Sequence, residues 1–490
     1  MMEGARDSGA GPAAGDVLWG AVDAAAATGG RSRRDWRATT ATIDSRTLAA
    51  GELFVALEGP NRDGHAYVAD ALAKGAAAAV VTRRPDDVDE DAPLLLVDDT
   101  QAALDGLGRF GRTRLEGRLI AVTGSVGKTS TKEMLRQVLS GFGSCQASRA
   151  SYNNHWGVPL TLANLRPKSA FAVAELGMNH AGEISALTRM ARPHIAVITA
   201  IAPAHLANFT DTSGIADAKC EIFEGLEPGG IAVINADTLH ADRLRDAAAR
   251  LAGSVVSYGA GSTVDIRLLA LEQTADGSLA RVDIGGRQLA LRFAAPGRHW
   301  AMNSLAVLAV VQALGLDLDH AALRLAGIQP GAGRGATRAI DLGERTIRLL
   351  DESYNANPAS MTAALEVLGQ QAGRRVAVLG DMLELGDTAP VLHAGLEAAI
   401  EAAAVDQVFL AGPMMRHLDA ALPAARRGGW AADSKSLAPL VVDALAHGDV
   451  VLVKGSLGSA MRHVIEALDQ AAAGKAPSPD ASSRHSVVGG

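Results

Sequence analysis

The chain has 490 residues, too many for one hydrophobic core, so two to four domains are expected. Its net charge of -8 argues against a nucleic-acid-binding protein, because such proteins usually present a basic face. The two cysteines, Cys145 and Cys220, are too few for a disulfide framework and suit a reducing compartment.

The sequence carries no segment typical of export or of a membrane protein. The N-terminus lacks the apolar stretch of a signal peptide. The longest apolar stretch, residues 301–316, is interrupted by Asn303 and Gln312 and is shorter than a bilayer requires. This stretch is therefore predicted to form a buried helix, and the protein is predicted to be cytoplasmic, without membrane insertion.

The N-terminal part of the chain predicts a small α/β domain. Residues 1–14 are rich in Gly, Ala and Asp and are predicted to be disordered. Within the domain, residues 15–98, apolar runs at residues 51–57 and 76–82 predict two strands. Residues 68–75 predict a helix that ends at a C-cap glycine.

The next element is a phosphate-binding loop, on which the predicted function depends. An apolar run over residues 117–123 stops at the segment Gly124-Ser-Val-Gly-Lys-Thr-Ser-Thr131, and a helix-forming segment follows. In this order, glycines let backbone N–H groups surround an anion, and the helix N-terminus adds partial positive charge. Lys128 is expected to reach the β- and γ-phosphates, and the Thr129 hydroxyl is expected to bind Mg²⁺.

The loop is two residues shorter than the usual P-loop, since Val122 stands where the first glycine is normally found. An ordinary strand-to-helix turn that contains Gly-Lys-Thr is the alternative, and the strand and helix on either side argue against it. Eight residues are therefore predicted to bind ATP: Thr123, Gly124, Ser125, Val126, Gly127, Lys128, Thr129 and Ser130.

Strands and helices alternate over residues 99–328, which predicts a central domain with a mostly parallel sheet and helices on both faces. Within it, residues 254–295 alternate polar and apolar side chains around glycine turns, which predicts an antiparallel excursion. Residues 329–468 predict a doubly wound, Rossmann-like C-terminal α/β domain. Its predicted strands are residues 346–351, 375–379, 407–410 and 450–453. Residues 469–490 are predicted to form a disordered tail.

Polar residues follow several predicted strands, at the positions where ligands of open α/β sheets gather. Glu175 closes the strand at residues 171–175, and a carboxylate there can bind Mg²⁺, although a capping or surface glutamate is an equally good interpretation. His205 follows the next strand, but a lone histidine is more often structural than a ligand. Lys219 lies in a helical segment, where the pattern alone favours a solvated lysine.

Two further polar segments lie near strand ends. Asn153 and Asn154 precede Gly157 and indicate a turn first of all. The segment Asp351-Glu-Ser-Tyr-Asn-Ala-Asn-Pro358 begins where a strand ends, and a bare loop is the alternative to a ligand-facing segment. Because several strand ends present polar groups, the sequence predicts a cleft between the central and C-terminal domains.

Together these segments resemble the Mur ligases, a family of ATP-dependent enzymes that form amide bonds in peptidoglycan synthesis. The resemblance runs from about residue 38 to residue 468, and the short phosphate loop matches the family's form. Singly the motifs are modest, but their order is specific: Asp44-Ser-Arg46, Asp63-Gly-His65, Thr123-Gly-Ser-Val-Gly-Lys-Thr129, Asn153-Asn154, Glu175-Leu-Gly-Met-Asn-His180, Ala218-Lys-Cys-Glu-Ile-Phe-Glu224, Asp351-Glu-Ser-Tyr-Asn-Ala-Asn-Pro358 and Leu379-Gly-Asp-Met-Leu-Glu-Leu-Gly386.

The resemblance implies roles that the pattern alone leaves open. Lys128, Glu175, His205 and Lys219 are implied to be catalytic, and the last three, with Thr129, are implied to bind two Mg²⁺ ions. Lys219 is implied to carry a carbamate, because an ammonium cannot bind a metal cation. Four further residues are implied to bind ATP: Asn303, Arg334, Asp351 and Asn355. Six residues are implied to bind substrate: Ser45, Arg46, Asn153, Asn154, Tyr354 and Asn357.

Within the family, the chain is most similar to members that join D-alanyl-D-alanine to a UDP-N-acetylmuramoyl-tripeptide through an acyl phosphate. A monomer is expected. Two positions depart from the family pattern: Trp300 replaces an asparagine near the adenine, and Leu457 replaces an arginine. The alternatives are a sister ligase that adds a single amino acid, a P-loop switch without ligase chemistry, and a nucleotide-binding relative that has lost catalysis.

Overall fold

The computed structural model describes residues 17–59, 62–149, 151–203, 206–274 and 277–474. These residues form three α/β domains in chain order, as the sequence predicted. The predicted disordered segment at residues 1–14 lies outside the described residues. No helix of the described residues has the length and apolar character that a membrane span requires.

The first domain is a five-stranded sheet of order β2-β9-β8-β5-β4, in which only β2 runs antiparallel to its neighbour. The predicted strands at residues 51–57 and 76–82 are confirmed as β5 and β8, and the predicted helix is α2. The elements are β1 Trp19–Gly20, α1 Ala21–Thr28, β2 Arg31–Ser32, β3 Arg37–Ala38, β4 Ala41–Thr42, β5 Leu53–Val55, β6 Glu58–Gly59, β7 Arg62–Asp63, α2 Val68–Ala73, β8 Ala78–Val81 and β9 Leu94–Leu96.

The central domain contains a nine-stranded sheet of order β11-β12-β10-β13-β14-β15-β16-β17-β18. The elements are α3 Thr100–Arg114, β10 Arg118–Thr123, α4 Lys128–Leu139, β11 Cys145–Ala147, α5 Gly157–Ala163, β12 Phe171–Glu175, α6 Glu183–Ala191, β13 Ile195–Ile198, α7 Thr212–Cys220, β14 Ile231–Asn235, α8 Ala241–Leu251, β15 Ser254–Gly259, β16 Ile266–Thr274, β17 Gly277–Ile284, β18 Arg287–Phe293, α9 Arg298–Ala313 and α10 Leu318–Ala326.

Both faces of this sheet are covered, because its strands are apolar on both sides. Helices α4, α9 and α10 pack on one face, and helices α5 to α8 pack on the other. The apolar stretch predicted as a buried helix is α9, whose residues from Leu305 to Val311 are inaccessible to solvent. The antiparallel excursion is confirmed for β16 to β18, but β15 pairs parallel to β14, so the excursion starts later than residue 254.

The third domain is a six-stranded sheet of order β19-β20-β24-β21-β22-β23, parallel except for β19. Helices α11 to α14 cover one face, and α15 and α16 cover the other, which confirms the doubly wound prediction. The elements are β19 Ala336–Asp341, β20 Thr346–Glu352, α11 Pro358–Gly369, β21 Arg375–Gly380, α12 Ala389–Ala394, α13 Leu396–Ala402, β22 Gln407–Ala411, α14 Met415–Ala421, β23 Arg427–Ala431, α15 Ser434–Ala444, β24 Val450–Lys454 and α16 Arg462–Ala472.

The predicted start of the tail at residue 469 is wrong. Helix α16 continues to Ala472 because Val464, Ala467 and Leu468 bury its apolar face against the third-domain core. The Ala-rich end of this helix extends that face by one more turn. Residues 475–490 lie outside the described part of the chain.

The first and central domains share one apolar core. Leu160 and Ala163 of α5 pack in the same cluster as the strands of the first domain. The Trp19 indole N–H donates to the carbonyl of Ala163 at 3.0 Å. The side chain of Asn164 exchanges two hydrogen bonds with the backbone of Ala41, at 2.7 and 2.9 Å. These contacts make the two domains one packed unit.

A buried histidine of the third domain predicts how stability depends on pH. The Nε2 of His393 accepts from the N–H of Met382 at 2.9 Å, and burial lowers the pKa of this imidazole. Below the ordinary histidine pKa of about 6.5, the unfolded chain binds a proton that the folded chain does not. The contribution of His393 to the free energy of unfolding is therefore expected to be fully present above that pH. Below it, the free energy of unfolding should fall by up to about 1.4 kcal/mol per pH unit.

Urea unfolding of the wild type and of His393→Gln at pH 7.5 and pH 5.5 checks this expectation. The glutamine variant lacks the titrating ring, so its unfolding midpoint should fall less between the two pH values. An equal fall in both proteins would contradict the assignment.

Candidate active site

The phosphate loop joins β10 to α4 as the sequence predicted. Gly124 and Gly127 have φ values of 150° and 84°, a conformation that favours glycine. A Cβ at Gly124 would lie 1.9 Å from Oγ1 of Thr199, and one at Gly127 would lie 2.6 Å from Oδ1 of Asn303. Both glycines are therefore required by close packing as well as by backbone conformation. The same contact places Asn303, predicted to bind ATP, directly against the loop.

Thr199 is a site residue that the sequence analysis missed. It follows β13, the strand beside β10, and its hydroxyl donates to the carbonyl of Val126 at 2.5 Å. The N–H of Ser125 donates to the carbonyl of the adjacent Ala200 at 2.7 Å. The end of β13 thus fixes the shape of the loop. Its position directly after an apolar strand was the available signal.

Lys128 is the first residue of α4, and its Nζ donates to the carbonyl of Gly124 at 2.8 Å. Burial lowers the pKa of Lys128, the charge of Glu175 opposes this shift, and the charge of Arg334 adds to it. A buried ammonium in this position has lost its hydration, so a nearby anion stabilises its charged form. Phosphate oxygens held by the loop would supply that anion.

Glu175 is buried at the end of β12, beside the loop, with 1% of its surface exposed. Its two carboxylate oxygens accept from the Thr129 hydroxyl at 2.8 Å and from Nδ2 of Asn153 at 2.7 Å. The interpretation of Glu175 as a surface glutamate is therefore wrong. Asn153 contributes a side chain to the site and is more than a turn residue. Asn154 remains a turn residue, since its Oδ1 accepts from the backbone N–H groups of Trp156 and Gly157.

Lys219 lies in the last turn of α7 and is only 1% exposed, so the interpretation as a solvated lysine is wrong. Burial lowers its pKa well below the usual value, and the charge of Lys128 lowers it further. Among the residues that the structure describes, no acceptor forms a hydrogen bond with its Nζ. A buried amine beside another cation is uncharged more readily than an ordinary lysine. His205, predicted beside it as a metal ligand, lies outside the described residues.

The third domain reaches the central domain through Arg334 and Tyr354. The Arg334 guanidinium stacks on the Tyr354 ring at 3.9 Å and donates to Oγ of Ser151 at 3.2 Å. The Tyr354 hydroxyl donates to the same Ser151 oxygen at 2.8 Å. Arg334 is near enough to Lys128 to affect its pKa. The central and third domains therefore meet here, with Arg334 within electrostatic reach of Lys128 in the phosphate loop.

Three other predicted residues of the third domain serve local structure. Asp351 accepts from the backbone N–H of Gly333 at 2.8 Å and so positions the segment that carries Arg334. Asn355 is exposed, and its Oδ1 accepts from the N–H of Ala356. Asn357 is the N-cap of α11 in a capping box, so its side-chain oxygen accepts from the helix backbone.

The first-domain residues predicted to bind substrate lie after β4. Arg46 forms a bidentate pair with Asp44 at 2.8 and 2.7 Å, and 54% of its side chain is exposed. Ser45 is buried, and its carbonyl accepts from Nζ of Lys74 at 2.9 Å. Arg46 lies within electrostatic reach of Tyr152, next to Asn153 in the chain. An exposed guanidinium thus stands on the side of the first domain that faces the site.

The two departures from the family pattern lie in different surroundings. Trp300 is 5% exposed at the start of α9 and lines a small cavity with His299 and Glu352 between the central and third domains. Leu457 is exposed on a 3₁₀ turn after β24. Trp300 therefore lies at a domain junction, on the same helix as Asn303, which contacts the phosphate loop. Leu457 lies on exposed surface.

Trp300→Asn is expected to retain activity and to change the KM for ATP by about threefold to tenfold, the range expected for losing one aromatic packing contact. Initial rates with varied ATP and varied dipeptide measure this. A change in the KM for the dipeptide, with none for ATP, would contradict a position near the adenine. Leu457→Ala serves as the matched control and should change neither KM.

A phosphate loop, a buried carboxylate beside it and an arginine from a second domain define a nucleotide-dependent P-loop enzyme. Models of three known domains match the chain: the Mur ligase family catalytic domain at residues 38–109, the Mur ligase middle domain at residues 122–311, and the Mur ligase, glutamate ligase domain at residues 341–457. The chain belongs to the Mur ligase family. This membership excludes the alternative of an unrelated P-loop switch.

Relatives of known name agree with this assignment. The UDP-N-acetylmuramoyl-tripeptide–D-alanyl-D-alanine ligase of Escherichia coli (strain K12) is 37% identical over 88% of this chain and 93% of its own length. The ligase of the same name from Synechocystis is 38% identical over 77% of this chain and 80% of its own length. The predicted family and the predicted ligase class are confirmed.

Two solved structures are also similar. The crystal structure of MurF from Acinetobacter baumannii has a TM-score of 0.81 and 31% identity, covering 92% of this chain and 98% of its own. MurF from Thermotoga maritima in complex with ADP has a TM-score of 0.76 and 25% identity, covering 89% and 98%. The bound ADP of the second structure supports nucleotide use.

Proposed function

We propose that this chain joins D-alanyl-D-alanine to the terminal carboxylate of a UDP-N-acetylmuramoyl-tripeptide, with conversion of ATP to ADP and phosphate. The observation that supports this most strongly is the meeting of Lys128, Glu175 and the third-domain Arg334 at one phosphate loop. The names of the relatives supply the substrates. We also propose that the enzyme acts in the cytoplasm as a monomer.

The donors around the loop fit magnesium, which prefers oxygen ligands. The Thr129 hydroxyl and the Glu175 carboxylate lie 2.8 Å apart and would hold one ion, as expected for a P-loop. His205 and Lys219 are proposed to contribute to a second site. Bound Mg²⁺ would neutralise the charge on the phosphate oxygens during transfer.

A carbamate on Lys219 is proposed because the local chemistry favours it. The neutral amine adds to CO₂ and releases one proton, which gives an N-carboxylate with two oxygen donors. Burial and the charge of Lys128 both favour the neutral amine over the ammonium. The product is an anion beside Lys128, so a repulsion between two cations becomes an attraction. An oxygen ligand is then available where an ammonium would repel a metal.

The protein's own groups would carry the reaction in two stages. Lys128 and the loop N–H groups orient the γ-phosphate while the acceptor carboxylate attacks it, forming an acyl phosphate and releasing ADP. The dipeptide amine then attacks the acyl carbon, the amide bond forms, and phosphate leaves. Arg334 reaches the phosphates from the third domain. Closure of that domain excludes water, which would otherwise hydrolyse the acyl phosphate.

Phosphate release measured with UDP-N-acetylmuramoyl-tripeptide and ATP tests the proposal. D-alanyl-D-alanine should support turnover, and single amino acids should not. Turnover with a single amino acid, and none with the dipeptide, would instead establish the sister ligase. A protein that still binds ADP but releases no phosphate with the dipeptide or with any single amino acid would be a relative without catalysis.

A further inference from the structure

Ser151 lies where the third domain meets the central domain, two residues before the Asn153-Asn154 motif. Its hydroxyl oxygen accepts from both Nη2 of Arg334 and the hydroxyl of Tyr354. A serine oxygen has two acceptor lone pairs, and these two donors use both. Two hydrogen bonds between the side chains of different domains therefore converge on one atom.

The donors on the third-domain side are held firmly. Arg334 stacks on the Tyr354 ring, and the N–H of Tyr354 donates to the carbonyl of Gly333 at 3.1 Å. Asp351 accepts from Gly333 and, at 2.6 Å, from the hydroxyl of Ser353. Arg334 and Tyr354 are thus held together as one unit of the third domain. Their hydrogen bonds to Ser151 therefore depend on the position of that domain.

On the other side, Ser151 lies two residues before Asn153, whose side chain donates to Oε1 of Glu175. The Asn153 carbonyl accepts from the N–H of Gly177 at 2.7 Å, and a Cβ on Gly177 would lie 2.8 Å from the Asn153 side chain. Asn153 is therefore packed against the segment that follows β12, and the chain on its other side leads through Tyr152 to Ser151. The second oxygen of Glu175 accepts from Thr129 in the phosphate loop.

We propose that Ser151 is a positioning residue through which docking of the third domain fixes Asn153 and, with it, the Glu175 carboxylate. The path runs by hydrogen bonds from Arg334 and Tyr354 to Ser151, along the chain through Tyr152 to Asn153, and by a hydrogen bond from Asn153 to Glu175. The carboxylate then reaches its working orientation only when the third domain is docked. This inference rests on the proposed function, because it assigns to Ser151 a part in assembling that site.

The test uses the full chain and two readouts. One is kcat for phosphate release with all three substrates. The other is the dissociation constant for Mn²⁺ in the presence of ADP, from the free Mn²⁺ signal in electron paramagnetic resonance. A hydrogen bond to a charged donor typically changes an equilibrium by about tenfold or more, so Ser151→Ala should lower kcat by about that factor and weaken Mn²⁺ binding at least about threefold.

Three variants make the test specific. Ser151→Thr keeps the hydroxyl and should restore both quantities. Tyr354→Phe removes one of the two hydrogen bonds to Ser151 from the third-domain side, so its effect on Mn²⁺ binding should not add to that of Ser151→Ala, which removes both. Ser185→Ala is the matched control: its hydroxyl donates to Glu224 at 2.6 Å on the exposed surface, and both readouts should be unchanged.

Unchanged kcat and Mn²⁺ binding in Ser151→Ala, with an active wild type, would overturn the proposal. A lower kcat with unchanged Mn²⁺ affinity would also overturn it, because Ser151 would then act elsewhere than through Glu175. An inactive wild type would instead contradict the proposed function. The Mn²⁺ readout would still report on the path from Ser151 to Glu175.

Discussion

Lys128→Ala is expected to abolish turnover while leaving the fold intact. The Nζ of Lys128 donates to the carbonyl of Gly124 at the phosphate loop, at 2.8 Å. A preorganised donor of this kind is typically worth about 10²- to 10³-fold in rate. Burial disfavours the charged form of Lys128 in the free enzyme, so this form is most stable when phosphate oxygens are present.

ADP formation and circular dichroism measure the effect and the fold of Lys128→Ala. Lys168→Ala, at an exposed lysine of the same domain, is the control and should behave as the wild type. ADP formation at the wild-type rate in a correctly folded Lys128→Ala would contradict the assignment of the loop.

The second large effect is expected at Lys219. If its amine carries a carbamate, Lys219→Ala removes an oxygen ligand and should lower kcat by about 10²- to 10³-fold. A surface lysine would give a change well under roughly 1 kcal/mol in stability and none in rate. A small carboxylic acid added to Lys219→Ala should occupy the vacated space and restore part of the activity. The wild type should depend on bicarbonate at low pH, where the amine is protonated more fully.

Lys132→Ala provides a matched control for this rescue, since Lys132 is also fully buried but donates to the carbonyl of Ser148 at 2.8 Å. Its activity, whatever its level, should not respond to added carboxylic acid or bicarbonate. Near-normal turnover of Lys219→Ala would contradict the carbamate. So would a high-resolution map that shows a bare ammonium at Lys219 with nucleotide and metals bound.

The order of strands, loop and helices was predictable because the pattern is local. An apolar run, a glycine pair and a helix-forming segment identify the loop from Thr123 to Lys128 without any distant contact. The partnership of Thr129, Asn153 and Glu175 was not predictable from the pattern. These residues lie on three different segments, and only the parallel pairing of β10 with β12 brings them together.

The burial of Lys219 and the helix-capping role of Asn357 both had signals in the sequence. Lys219 lies four residues after Ile215, which is fully buried, so the two share one face of α7. Its burial follows from that face. Asn357 is followed by Pro358 and then by Ser360 three residues after it, a pattern typical of a helix N-terminus. A polar residue at a strand or helix end indicates a ligand-binding role only when local hydrogen bonds, such as helix capping, do not already explain its presence.

The shared core of the first and central domains has a consequence for acceptor choice. Trp19 and Asn164 fix the two domains to each other, so the separation between Arg46 and Glu175 is set by packing and not by the acceptor. Because the resemblance implies that Arg46 binds one end of the substrate, we expect the peptide's terminal carboxylate at the other end to reach the phosphate loop only when the peptide has the right length. The fixed spacing of the two domains is therefore expected to select the acceptor by peptide length, so that shorter and longer peptides would be poor acceptors even when their terminal residue is chemically suitable.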